Sequence, residues 1–143
     1  MEYALAQASA AAERGEVPVG AVVVDPAGSL VAASGNRVEE LNDPTAHAEM
    51  LAIRKAAGMS GSPRLVGYSL YVTLEPCAMC AQAISLARIK RVYFGASDEK
   101  SGAVENGVRL YNDPSCHHIP EVYGGINAAK AKVLLRDFFR VRR

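Results

Sequence analysis

Two short segments constrain this chain more than anything else in it: Pro44-Thr45-Ala46-His47-Ala48-Glu49 and Thr73-Leu74-Glu75-Pro76-Cys77-Ala78-Met79-Cys80. A histidine, a glutamate two residues on, and a later Pro-Cys-x-x-Cys form a metal-site pattern with a carboxylate beside it. One imidazole and two thiolates suit zinc, a borderline-soft ion usually held in a tetrahedron by nitrogen and sulfur. Three protein ligands leave a fourth position open, the mark of a catalytic site. Water bound there has its pKa lowered from about 16 to roughly 7. Glu49 is near enough to take that water's proton and return it elsewhere. The pattern predicts hydrolytic chemistry.

A blander reading has to be set against this one. Cys-x-x-Cys alone also occurs in redox sites and zinc ribbons. A closed structural site would need a fourth ligand, for which Cys116, His117 or His118 are available. That reading leaves Glu49 and the proline before Cys77 without a purpose. Cys116 is better read as an incidental buried or semi-buried thiol.

The remainder of the chain has to build a scaffold for those two segments. Its 143 residues suit one domain over residues 1–143. Half of them are hydrophobic and 22% charged, an ordinary globular composition. Met1-Glu2-Tyr3-Ala4-Leu5 carries neither a basic nor an apolar leader region, and no apolar run is long enough to span a bilayer. Three cysteines, two of them committed to a metal, do not make a disulfide framework, so a reducing, cytoplasmic setting is expected.

Residues 2–14 are alanine-rich and closed by Gly15, which predicts a helix. The β-branched run 17–24, the turn Asp25-Pro26-Ala27-Gly28 and residues 29–34 predict an antiparallel hairpin. Residues 38–43 read as a polar loop. Thr45 reads as the N-cap of a helix over 46–57, ended by Gly58, with 58–63 as loop. Residues 68–73 predict a strand, and Pro76 then opens a helix over 77–87. Cys77 and Cys80, three apart, share a face of its first turn, where the helix dipole favours thiolates. Two helix N-termini would thus converge on the metal. Residues 90–95 make a fourth strand, 98–106 a loop at the mouth of the site, and 107–111 a short helix. Residues 121–123 make a fifth strand parallel to the fourth, and a last helix starts near Asn127.

Charge is unevenly spread. From Ile126 onward there are six basic residues (Lys130, Lys132, Arg136, Arg140, Arg142 and Arg143) against Asp137 alone. The rest of the chain is net acidic. A basic helix with Phe138 and Phe139 suits a phosphate backbone and a stacked base. Cations at a helix C-terminus are, however, favoured by the dipole alone.

Over nearly its full length the sequence resembles the bacterial tRNA adenosine deaminases of the zinc-dependent cytidine deaminase superfamily. His-x-Glu with Pro-Cys-x-x-Cys is the zinc-deaminase signature. The resemblance also rests on 16–22, Asn36-Arg37, Asn42-Asp43, Arg88-Ile89, Phe94-Gly95-Ala96, Asp98, 100–103 and Asp137-Phe138-Phe139-Arg140. It implies a three-layer α/β/α fold with a mixed five-stranded sheet, working as a homodimer. It further implies conversion of the wobble adenosine of a tRNA anticodon to inosine. Residue by residue, it implies His47, Cys77 and Cys80 as zinc ligands and Glu49 as proton shuttle. Asn36 would hydrogen-bond the flipped adenine, Asp98 and Lys100 would lie along the anticodon loop, and Phe139 and Arg140 would border the RNA path. Deaminases of free bases or nucleosides, of the guanine or cytosine type, share every zinc residue and are the alternative. A non-catalytic zinc protein that only binds RNA would be expected to have lost Glu49.

Overall fold

The computed structural model describes residues 1–142; Arg143, counted above in the basic terminal helix, lies outside the described residues. The order of elements is α1 (Glu2–Glu13), β1 (Gly20–Val24), β2 (Leu30–Gly35), α2 (Val38–Leu41), α3 (Ala48–Ser60), β3 (Ser69–Leu74), α4 (Ala78–Leu86), β4 (Arg91–Ala96), β5 (Glu121–Tyr123) and α5 (Ala128–Val141). A 3₁₀ turn at Leu110–Asn112 interrupts the long connection from β4 to β5.

The β-branched run folds into the expected hairpin. Asp25 closes it by accepting the Ala27 and Ser29 N–H groups at 3.0 and 2.9 Å. The five strands lie in the order β2-β1-β3-β4-β5. β2, β1 and β3 pair antiparallel, whereas β3, β4 and β5 are parallel. The parallel half requires a crossover, supplied between β3 and β4 by α4.

Helices cover both faces. Val23, Leu70, Val72, Val92 and Phe94 pack against Ala52 and Ile53 of α3 and Ala81 and Ile84 of α4. A smaller cluster of Leu5, Ala96 and Ala131 joins α1 and α5 to the other side. This is the α/β/α fold, with a mixed five-stranded sheet, that the resemblance implied. Burying such aliphatic side chains stabilises the fold by roughly 1.5–3 kcal/mol each. The alanines of α1 serve a different end. They let its backbone come so close to β1 that a Cβ at Gly20 would collide with the Ala4 carbonyl and the Ala8 amide.

Three local expectations fail for identifiable reasons. The supposed loop after β2 holds a single helical turn, α2, because the buried Glu16 carboxylate accepts the Glu39 and Glu40 N–H groups at 3.0 and 2.9 Å. Thr45 does not cap α3: its hydroxyl donates to Asp43 Oδ1 at 2.7 Å, and His47 takes the N-cap position. Gly58 does not stop that helix, which runs on to Ser60 before Gly61 closes it in the left-handed conformation. No helix among the described residues is long and apolar enough to cross a membrane.

Candidate active site

β3 runs out at Leu74, and Glu75-Pro76 turns the chain directly into α4, with Cys77 at its N-cap. α3 begins beside it with His47 at its own N-cap. Both helices therefore present their N-terminal ends to one point, where the dipoles favour negative charge. His47 Nδ1 lies 3.7 Å from Cys77 Sγ and 3.6 Å from Cys80 Sγ. All three donor atoms fall within 4.8 Å of one another.

These distances fit zinc. Bond lengths of about 2.3 Å to sulfur and 2.0–2.1 Å to nitrogen, at tetrahedral angles, give a nitrogen–sulfur edge of roughly 3.6 Å. One imidazole and two sulfurs are also the donor types that zinc prefers. Hydrogen bonding from Cys80, then His47, outweighs burial and holds the Cys77 thiol down at about 4. The neighbouring Cys77 and burial push the Cys80 thiol up. Hydrogen bonding to Cys77 outweighs burial and raises His47. No fourth protein donor of the His, Cys, Asp or Glu kind joins the group among the described residues.

Cys116 and its histidine neighbours are elsewhere. The Cys116 sulfur is buried against Ser85 Oγ at 3.4 Å and the His118 carbonyl at 3.3 Å. The His118 ring faces the Ile89 carbonyl. The closed four-ligand site does not form.

Glu49, in the first turn of α3, is only 3% exposed. Burial raises its carboxyl to about 7, against the lowering effects of a hydrogen bond with Cys80 and the charge of His47. Asn36, at the end of β2, is also buried. Its Oδ1 accepts the Ala48 N–H at 2.8 Å and so satisfies one of the free donors at the start of α3. That bond fixes the amide and leaves Nδ2 for the cavity.

The cavity has a volume of about 510 Å³, and Asn36, His47, Glu49 and Cys77 line it together with Asp98, Phe138 and Arg142. It adjoins a groove of about 840 Å³ flanked by Asp98, Lys100, Arg136, Phe139 and Arg140. Val17, Leu74, Asp98, Ser101 and Arg142 line both. Phe139 and Arg140 thus border the groove rather than the cavity. Phe138 and Arg142, read from sequence only as parts of the basic, aromatic last helix, reach the cavity instead. Arg142 rests its guanidinium 3.6 Å above the Phe138 ring. Their i,i+4 spacing on a helix was the available signal.

Residues 1–96 match the family model for the cytidine and deoxycytidylate deaminase zinc-binding region, and the chain belongs to that family. Within it, the chain is 57% identical over its whole length to a tRNA-specific adenosine deaminase of Agrobacterium fabrum, covering 93% of that protein. It is 44% identical to one of Aquifex aeolicus, over 98% of this chain and 91% of that protein. A solved structure from work on A-to-I editing by tRNA:A34 deaminases at the wobble position superimposes with a TM-score of 0.93 at 56% identity, over 94% and 97% of the two chains. A guanine deaminase of Bacillus subtilis is more distant, with a TM-score of 0.67 at 34% identity over 99% and 90%.

Proposed function

We propose that the chain deaminates the wobble adenosine of a tRNA anticodon loop to inosine by hydrolysis. The observation that carries this reading is the shared wall. A cavity lined by the metal donors His47 and Cys77 and by the buried carboxyl of Glu49 adjoins a groove flanked by basic and aromatic side chains. The full-length relatives named as tRNA-specific adenosine deaminases support the same substrate.

His47, Cys77 and Cys80 hold the zinc. When bound, zinc acts as a Lewis acid that makes water ionise near neutral pH. Glu49 accepts a proton from the water that adds to C6 of adenine and delivers it to N1. It then carries the proton of the new C6 hydroxyl to the 6-amino group, and the C6–N bond breaks to release ammonia and leave the C6 carbonyl of inosine. Asn36 Nδ2 orients the base. Asp98, Lys100, Phe139 and Arg140 line the path of the flanking nucleotides, where basic groups meet phosphates and the ring stacks on a base. An anticodon loop suits such a site, since its bases are unpaired and inexpensive to splay outward. We further read residues 1–143 as one domain that works as a homodimer in the cytoplasm.

The role of Glu49 is tested by Glu49→Gln, which keeps the shape and removes the proton carrier. Inosine formation, followed by mass, falls by roughly 10²–10⁴-fold while zinc stays at one per chain. Wild-type turnover in that variant would refute the assignment. A second reading, deamination of free guanine, is favoured by the likeness to the Bacillus subtilis enzyme. Turnover of guanine with an untouched RNA would select it.

A further inference from the structure

Glu75 carries no role in the reaction as described, yet it is the most heavily hydrogen-bonded side chain near the site. It is 2% exposed. One carboxylate oxygen accepts from Ser97 Oγ at 3.3 Å, the Asp98 N–H at 3.0 Å and Asn106 Nδ2 at 2.7 Å. The other accepts from three successive backbone amides, Val104, Glu105 and Asn106, at 3.1, 2.9 and 3.0 Å. Consecutive amides aimed at one oxygen form an anion nest. No basic side chain is paired with Glu75 among the described residues. A buried carboxylate left unbonded costs several kcal/mol, so these donors, all drawn from one loop, are what allow it to be there.

The geometry matters because of what lies between the two anchor points. Asp98 at one end and Asn106 at the other are tied to the same carboxylate, and the segment between them supplies Lys100 and Ser101 to the walls of the groove. The loop is held from inside as well. A Cβ at Gly102 would run into the Glu75 carboxyl and the Asp98 carbonyl. Asp98 turns its own Oδ1 to the Lys100 and Ser101 N–H groups, at 3.0 Å each.

We propose that Glu75 is a positioning residue: it pre-assembles the 97–106 loop as a wall for the RNA, and so governs substrate recognition rather than the chemical step. This rests on the functional reading above. A carboxylate suits the task better than an amide, because all six of its contacts are donors. In Glu75→Gln, the side-chain NH2 faces groups that also donate.

The test compares wild type, Glu75→Gln and Asn106→Ala, the last of which removes a donor lying outside both cavity and groove. For each, KM and kcat on an anticodon stem-loop are measured with zinc per chain and amide hydrogen exchange across 97–106. In Glu75→Gln, KM rises roughly 10- to 100-fold, kcat changes less than about threefold, zinc stays at one per chain and the loop amides exchange faster. Asn106→Ala shows the same split at smaller size and decides the matter if Glu75→Gln does not fold. Unchanged KM with loop amides protected as in wild type overturns the proposal. So does loss of zinc with a fall confined to kcat, which would assign Glu75 to the metal site. If wild type leaves the stem-loop untouched, the functional reading fails by itself, and hydrogen exchange still decides whether Glu75 holds the loop.

Discussion

Asn36, Glu49 and Glu75 are all polar and all buried, and each is reconciled with burial differently. Asn36 pairs its oxygen with a helix N-terminus, Glu75 gathers amides, and Glu49 is pushed toward its neutral form. Asp43, near the surface, shows the same physics at small scale. Hydrogen bonds from the Thr45 hydroxyl and then the Thr45 N–H hold it below its ordinary value of 3.8. Its stabilising effect is therefore present above 3.8 and is lost as pH falls through the lower, folded-state value. A carboxyl titration followed by NMR should place Asp43 below 3.8, and Thr45→Val should move it upward; identical midpoints would mean the hydroxyl does nothing. The metal donors and Glu49 were legible in the sequence because their chemistry is tied to residue type and short spacing. Glu75 was not. A glutamate before Pro-Cys looks like any other until the fold brings residues 97–106 to it. Arg142 was hidden for a similar reason, since a basic residue at a helix end has the dipole as a sufficient explanation.

Strands and helices were placed well wherever periodicity and turn chemistry agreed, as in the hairpin and in β5 with its parallel partner β4. They were misplaced where a distant side chain decides. α2 depends on Glu16, more than twenty residues away in sequence, and the start of α3 depends on Asn36. The meeting of α1 with β1 is a second long-range effect. Gly20→Ala should lower stability by about 1–3 kcal/mol, read as a fall in Tm, because the new methyl meets backbone atoms that cannot rotate away. An unchanged Tm would contradict that close approach. α5 is the element whose meaning the sequence left open between dipole complement and RNA contact, and the structure lays it beside the groove. Lys100→Ala and Arg140→Ala should each weaken stem-loop binding and reduce the slope of log affinity against log salt by roughly 1. Equal slopes in variant and wild type would remove that residue from the RNA path.

At the scale of the whole molecule, the mixed sheet has one consequence for chemistry. Its switch from antiparallel to parallel pairing lies at β3, and the turn out of β3 carries Glu75, Pro76 and Cys77 in a row. One residue orders the loop that forms the outer wall, one ends the strand, and one begins the metal site. In the proposed function, the fold thereby couples the place where the base reacts to the groove assigned to the RNA. An enzyme for free bases would need only the first of these. The most direct test is to incubate the zinc-loaded protein with an anticodon stem-loop bearing a wobble adenosine and to look for inosine by mass. Free adenosine, guanine and cytosine run in parallel, with a chelator control. Inosine in the stem-loop alone, abolished by chelator and restored by zinc, is the predicted result. Turnover of a free base with the stem-loop unchanged would contradict the assigned substrate while leaving the zinc chemistry in place.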